Sequence, residues 1–214
     1  LGAEEFRARV EREWEITRQR VPALGAAQLE RARSYFTAPP YRPLDDAAAD
    51  SLLAGQRAAN RAFDRWMSRN VSGHRVPGYA IVTLSLKPTG IAPGDATDRQ
   101  LERIADLADS YSFGEIRVTH EQNLVLADVE KEMLFALWEA ARDAGLATPN
   151  IGMLTDIICC PGGDYCSLAN AKSIPVAEAI QRRFDDLDYL HDLGDIHLNI
   201  SGCMNACGHH HVGQ

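Results

Sequence analysis

Ala80-Ile81-Val82-Thr83-Leu84-Ser85-Leu86 alternates along its length. Val82, Leu84 and Leu86 fall on one face of an extended chain and Ile81, Thr83 and Ser85 on the other, the pattern of a half-buried strand. Thr97, with Gln100 three residues later, forms a capping box that opens a helix. That helix carries Leu101, Ile104, Ala105, Leu107 and Ala108 on one stripe and closes before Gly114. Two short strands follow, 115–119 and 123–129, separated by His120-Glu121-Gln122. A last helix over 131–144 is expected to bury Met133, Leu137, Trp138 and Ala141 and to end at Gly145. The order β-α-β-β-α is most of a ferredoxin-like unit, in the α+β class, with helices on one face of a sheet.

Upstream, 3–20 reads as a helix with Phe6, Val10 and Trp14 four residues apart, Glu4 and Glu5 in its first turn and Arg18 and Arg20 in its last. A second helix is expected over 25–36. Ala38-Pro39-Pro40-Tyr41-Arg42-Pro43 cannot continue it, because the prolines remove donors and force extended backbone, so a linker lies there. A third helix is expected over 46–70, carrying Phe63 and Trp66 near its end. These are read as packing and connecting helices.

Downstream, 151–158 is apolar enough for a buried strand leading into Cys160-Pro161-Gly162-Gly163-Asp164-Tyr165-Cys166. A helix over 166–183, which Pro175 kinks or restarts, and a strand over 195–200 lead into Cys203-Met204-Asn205-Ala206-Cys207. The two pairs have five and three residues between their thiols, each in a loop where a strand ends. Four thiolates from two such loops suit a [4Fe–4S] cluster. Pro161 leaves no N–H unpaired, while Gly162 and Gly163 permit positive φ and close approach. If 203–207 takes one helical turn, Cys203 and Cys207 project the same way. Asn205 tolerates left-handed backbone and offers an amide near the cofactor. The five-residue gap counts against structural zinc, whose ligands stand closer together, but zinc and inert buried cysteine remain open on spacing alone. Cys159 reads as a buried hydrophobe, since adjacent cysteines point apart. Lys87 reads as a solvated surface lysine.

The run Thr155 to Asn170, with Ser201-Gly202-Cys203-Met204-Asn205-Ala206-Cys207-Gly208-His209-His210-His211, resembles the sirohaem–[4Fe–4S] motif of sulfite and nitrite reductases. Lys87 to Asp95 and Gly114 to Leu124 resemble the second half of the bacterial hemoprotein subunit, so the likeness covers most of the chain beyond Phe63. The resemblance implies that Cys160, Cys166, Cys203 and Cys207 ligate the cluster and that Cys207 also bridges to sirohaem iron. It implies that Arg117, Thr119, Gln122 and Asn123 lie on a hairpin facing the sirohaem, and that Asn205 belongs to the cofactor-binding set. From the residues alone, Arg117 is an ordinary exposed strand charge and Gln122 a turn residue. Sulfite or nitrite would take up six electrons, delivered by a flavoprotein or ferredoxin. The cations that hold the anion in the family come mainly from its first half, so no catalytic residue is assigned here and the isolated chain is expected to be inactive. The triple histidine is expected in supporting roles around the site.

The implied organisation is a helical linker and tail of a preceding half over 1–76, a ferredoxin-like domain over 77–148, and the start of a truncated α/β sirohaem/[4Fe–4S] domain over 149–214. Leu1, and the stop after His211-Val212-Gly213-Gln214, suggest that both ends are cut. The 214 residues carry a net charge of −8 with no clustered basic face, which disfavours nucleic acid and anionic membrane as partners. No apolar run is long enough to span a bilayer. Five cysteines, clustered and without a signal peptide, argue against a secreted disulfide scaffold, and the expected compartment is the cytoplasm. The competing class is a non-catalytic module whose four cysteines hold zinc or a lone cluster for structure or partner docking.

Overall fold

The computed structural model describes residues 2–212. Leu1 and Gln214, the expected cut ends, lie outside the described residues. The chain forms two compact units that divide between Tyr41 and Arg42, inside the proline-rich stretch.

The first unit holds helix α1 (Ala3–Thr17) and helix α2 (Ala26–Arg33) and buries no residue of either. Glu4 and Glu5 sit in the first turn of α1, and the Arg9 guanidinium donates to Glu5 at 2.7 Å. Thr17 turns its hydroxyl back onto the Glu13 carbonyl at 2.8 Å and the helix stops there, so Arg18 and Arg20 fall beyond it.

The second unit begins with helices α3 (Asp46–Ala59) and α4 (Arg61–Asn70). The single helix expected over 46–70 is thus two. Asn60 adopts φ −139° and ψ 101°, and its side-chain oxygen accepts from the N–H groups of Ala62 and Phe63, each at 3.1 Å. An asparagine that caps a new helix ends the old one more effectively than apolar periodicity can carry it through.

Strands β1 (Val71–Gly73), β2 (Tyr79–Leu84), β3 (Arg117–Val118) and β4 (Leu124–Glu130) form one antiparallel sheet in the order β1-β2-β4-β3. Helix α5 (Asp98–Tyr111) opens on the Thr97–Gln100 capping box, and α6 (Leu134–Asp143) follows a 3₁₀ turn over Lys131–Met133. This is the expected β-α-β-β-α order, with β1 added at one edge. Val82, Leu84 and Leu86 are buried with Ile104, Leu107, Leu126, Leu137 and Trp138 in one core. Phe63 packs its ring 5.0 Å from Phe135 and 5.4 Å from Trp138. Each such side chain contributes about 1.5–3 kcal/mol by leaving water. Leu101 and Met133, expected in the core, are 53% and 39% exposed, and Ala105 is exposed as well. Both helices bury a narrower stripe than the sequence suggests.

The remaining segment is mostly turns. Instead of a strand over 151–158, Met153 N–H donates to the Asn150 carbonyl and Asp156 N–H to that of Met153, leaving a strand only at β5 (Ile158–Cys159). Helix α7 (Gly162–Tyr165) is one turn; α8 (Ile174–Arg183) restarts with Pro175 in its first turn, and α9 (Leu187–Leu193) follows. Strand β6 is Asn199–Ile200, pairing parallel with β5, where 195–200 was expected. Ile157, Cys159 and Ala177 form a small second core with Ile174, Ile180, Leu198 and Ile200.

Candidate functional site

Both cysteine loops leave the carboxyl ends of adjacent parallel strands, the place where open α/β sheets bind ligands. Ile158 N–H donates to Leu198 O and Cys160 N–H to Ile200 O, each at 3.0 Å. The loops then stack backbone on backbone: the N–H groups of Asn170 and Ala171 donate to Gly202 O at 2.9 and 3.1 Å. A Cβ on Gly202 would lie 2.6 Å from Ala171 O and 3.1 Å from Gly162 Cα, and Gly162 itself takes φ 58°. Only glycine permits this approach.

Cys160 is buried, Cys166 and Cys203 are half-buried, and Cys207 is exposed. The Gly202 N–H donates to Cys160 Sγ at 3.1 Å, and Ser173 Oγ lies 3.3 Å from the same sulfur. Burial pushes the Cys160 thiol up, but hydrogen bonds from Ser173, Gly202 and Gly162 outweigh it, and the group sits below the ordinary thiol range. Cys159 is its opposite. Burial, then the neighbouring Cys160, pushes that thiol up to about 12, as expected of an inert hydrophobe.

The second loop differs from expectation. Ala206 and His209, not Asn205, take positive φ, at 57° and 55°. Cys203 and Cys207 therefore do not share one helical turn, and Asn205 is exposed. Among the described residues, no three His, Cys, Asp or Glu side chains stand close enough to hold a metal. The fold brings the four thiols to two touching loops rather than into one cage. Their chemistry suits an iron–sulfur cluster all the same: soft donors at strand ends, one of them already accepting the N–H bond that tunes such a sulfur.

The 117–123 hairpin lies against both loops. The His120 ring meets that of His209 with centroids 6.3 Å apart. Arg117 is exposed and donates from Nε to Glu115 at 2.5 Å. Thr119 Oγ1 accepts from Asn123 N–H at 3.2 Å. The Gln122 amide bonds both backbone groups of Cys159, accepting from its N–H at 2.8 Å and donating to its carbonyl at 2.9 Å. Asn123 donates to Asp156 at 3.0 Å and accepts from Leu86 N–H at 3.2 Å. Gln122 and Asn123 thus spend their amides inside the chain.

Lys87 corrects the sequence reading outright. It is 1% exposed; its Nζ donates to Asp156 Oδ1 at 2.7 Å and to the Glu121 carbonyl. Burial pulls the ammonium below its ordinary pKa, and Asp156, by charge and hydrogen bond, offsets part of that. Asp156 also accepts from Gly152 N–H at 2.9 Å, so the carboxylate is well supplied with donors. The available signal was Asp156 itself, a carboxylate inside an apolar run, which demands a buried cation.

Residues 77–144 match the model of the nitrite/sulfite reductase ferredoxin-like half domain. The chain is 27% identical over 178 residues to a chloroplastic ferredoxin–nitrite reductase of Betula pendula, covering 79% of this chain and 27% of that one. It is 29% identical over 128 residues to sulfite reductase [ferredoxin] 2 of Mycolicibacterium paratuberculosis, covering 57% of this chain and 23% of the relative. The solved structure of the Mycobacterium tuberculosis NirA protein superposes with a TM-score of 0.51 at 26% identity, over 65% of this chain and 25% of that one. Residues 77–144 are a half domain of the nitrite and sulfite reductase kind, and the chain around them is similar to ferredoxin-dependent nitrite and sulfite reductases. It spans about a quarter of the length of the curated relatives it matches. The matched half domain contains the hairpin just described, and the cysteine loops follow it in the chain.

Proposed function

We propose that this chain is the part of a sirohaem-dependent reductase that holds a [4Fe–4S] cluster through Cys160, Cys166, Cys203 and Cys207, with Cys207 also serving the sirohaem. The whole enzyme would reduce nitrite to ammonia or sulfite to sulfide in the cytoplasm, drawing electrons from a ferredoxin or flavoprotein. The reading divides the chain at 1–76, 77–148 and 149–214. One observation carries it: two cysteine loops stacked at the carboxyl ends of paired parallel strands, with Gly202 N–H on the Cys160 sulfur.

When bound, the cofactor pair supplies the electron transfer, and the protein supplies binding, orientation and electrostatics. Cys160 contributes a thiol whose hydrogen bonds favour the thiolate that binds iron. Exposed Cys207 stands free to face a second group, and exposed Arg117 offers a cation to its carboxylates.

The test is anaerobic reconstitution of the full chain with iron, sulfide and sirohaem. Expected are about four iron atoms per chain, sirohaem bands that Cys207→Ser abolishes, and no sulfide or ammonia production. Zinc uptake without iron would replace this reading with the structural four-cysteine module, and turnover by the chain alone would show that it does not depend on a missing half.

A further inference from the structure

Among the described residues, strand β5 has a neighbour on one side only. Its Ile158 and Cys160 N–H groups point to β6, so the N–H and carbonyl of Cys159 between them point the opposite way, toward a sheet edge with no third strand. Cys159 is 3% exposed, so water cannot satisfy those groups. The side chain of Gln122 does. A primary amide carries one carbonyl and one N–H face, as a peptide does, and here it exchanges both bonds with Cys159 as an opposing strand residue would. The placement is held under strain: Gln122 takes φ 59°, a left-handed conformation that a residue with a side chain adopts only when its surroundings enforce it. Gly94 makes room for it, since a Cβ there would stand 3.0 Å from Gln122 Cβ.

We propose that Gln122 is a positioning residue for the first cysteine loop: as a one-residue substitute for a third strand, it fixes the direction in which Cys160 leaves β5. The ferredoxin-like half domain then sets where the first thiol stands, and β5–β6 pairing alone does not. This rests on the cluster reading only for its consequence, since the clamp itself is a property of the polypeptide.

The experiment compares the full chain with Gln122→Glu, which keeps the acceptor but puts a second acceptor against the Cys159 carbonyl, and with Gln122→Met, which keeps the bulk and loses both bonds. Hydrogen exchange should show the Cys159 amide losing protection by about tenfold or more in Gln122→Met, with the amides of Leu126 and Val129 unchanged. After reconstitution with iron and sulfide, the variants should retain less iron than the unmodified chain, and the reduction potential of what remains should shift; a purely structural clamp would lower the melting temperature without moving the potential. Unchanged Cys159 exchange in both variants, or altered exchange with unchanged iron retention and potential, would overturn the proposal. If the unmodified chain binds no iron, the cluster reading fails by itself and the clamp is judged on exchange alone.

Discussion

In the four-stranded sheet, β2 pairs with β4 from Tyr79↔Glu130 to Leu84↔Leu124, and the strands bury leucines and valines against α5 and α6. In the second sheet, β5 and β6 match only Ile158 with Asn199 and Cys159 with Ile200, over a core of Ile157, Cys159 and Ala177. The first region is held by apolar area. The second has too little of it, and what fixes it in place is a set of buried polar bonds reaching into the first: Lys87 and Asn123 to Asp156, Gln122 to Cys159, and Ser85 to Asn150 at 2.7 Å. On the proposed cluster reading, a segment that keeps its loops open for a bulky ligand cannot fill itself with side chains, so its order is supplied from outside.

The sharpest way to break this contrast is to cut the buried ion pair. Lys87→Met leaves Asp156 charged and buried at 6% side-chain exposure, and should cost about 3–5 kcal/mol in urea denaturation. Lys87→Met combined with Asp156→Leu should recover most of that loss. If the single variant is no less stable, the polar bonds are not what anchors the segment.

Gly202→Ala probes the contact between the two loops. Its Cβ would press on Ala171 O at 2.6 Å, and about 1–3 kcal/mol is expected. The exchange protection of Asn170 and Ala171 should fall while that of β2 and β4 stays unchanged.

The smallest effect lies at His191. Burial, reinforced by Arg69, Arg65 and Arg61 and opposed by Asp192, holds its imidazole below the ordinary 6.5. The folded chain then binds fewer protons there than the unfolded one, so acid favours unfolding from pH 6.5 down to the folded value. His191→Gln should flatten the fall in melting temperature over that window by at most about 2 °C.

The half domain was legible because its order depends on periodicity and caps. Val82, Leu84 and Leu86 alternate, and Thr97 and Gln100 bond as a capping box should. The cysteine segment was legible as chemistry but not as backbone. Its 151–158 run is apolar because Met153 and Ile157 are buried within turns, Ile157 in the second core, and periodicity does not separate that from a strand. The break at Asn60 and the left-handed turn at Ala206 are set by local bonding, which apolar pattern does not record. Lys87 was misplaced because its partner, Asp156, stands 69 residues away.

The parallel pairing of β5 with β6 also orders events during synthesis. Asn199 and Ile200 are translated some forty residues after Cys159. Such non-local pairing forms late, whereas β1 to β4, α5 and α6 are all translated before Cys160 emerges from the ribosome. The first pair of thiols is therefore presented on a finished platform while the second pair is still untranslated, and a metal-delivery machinery would meet two donors before it met four.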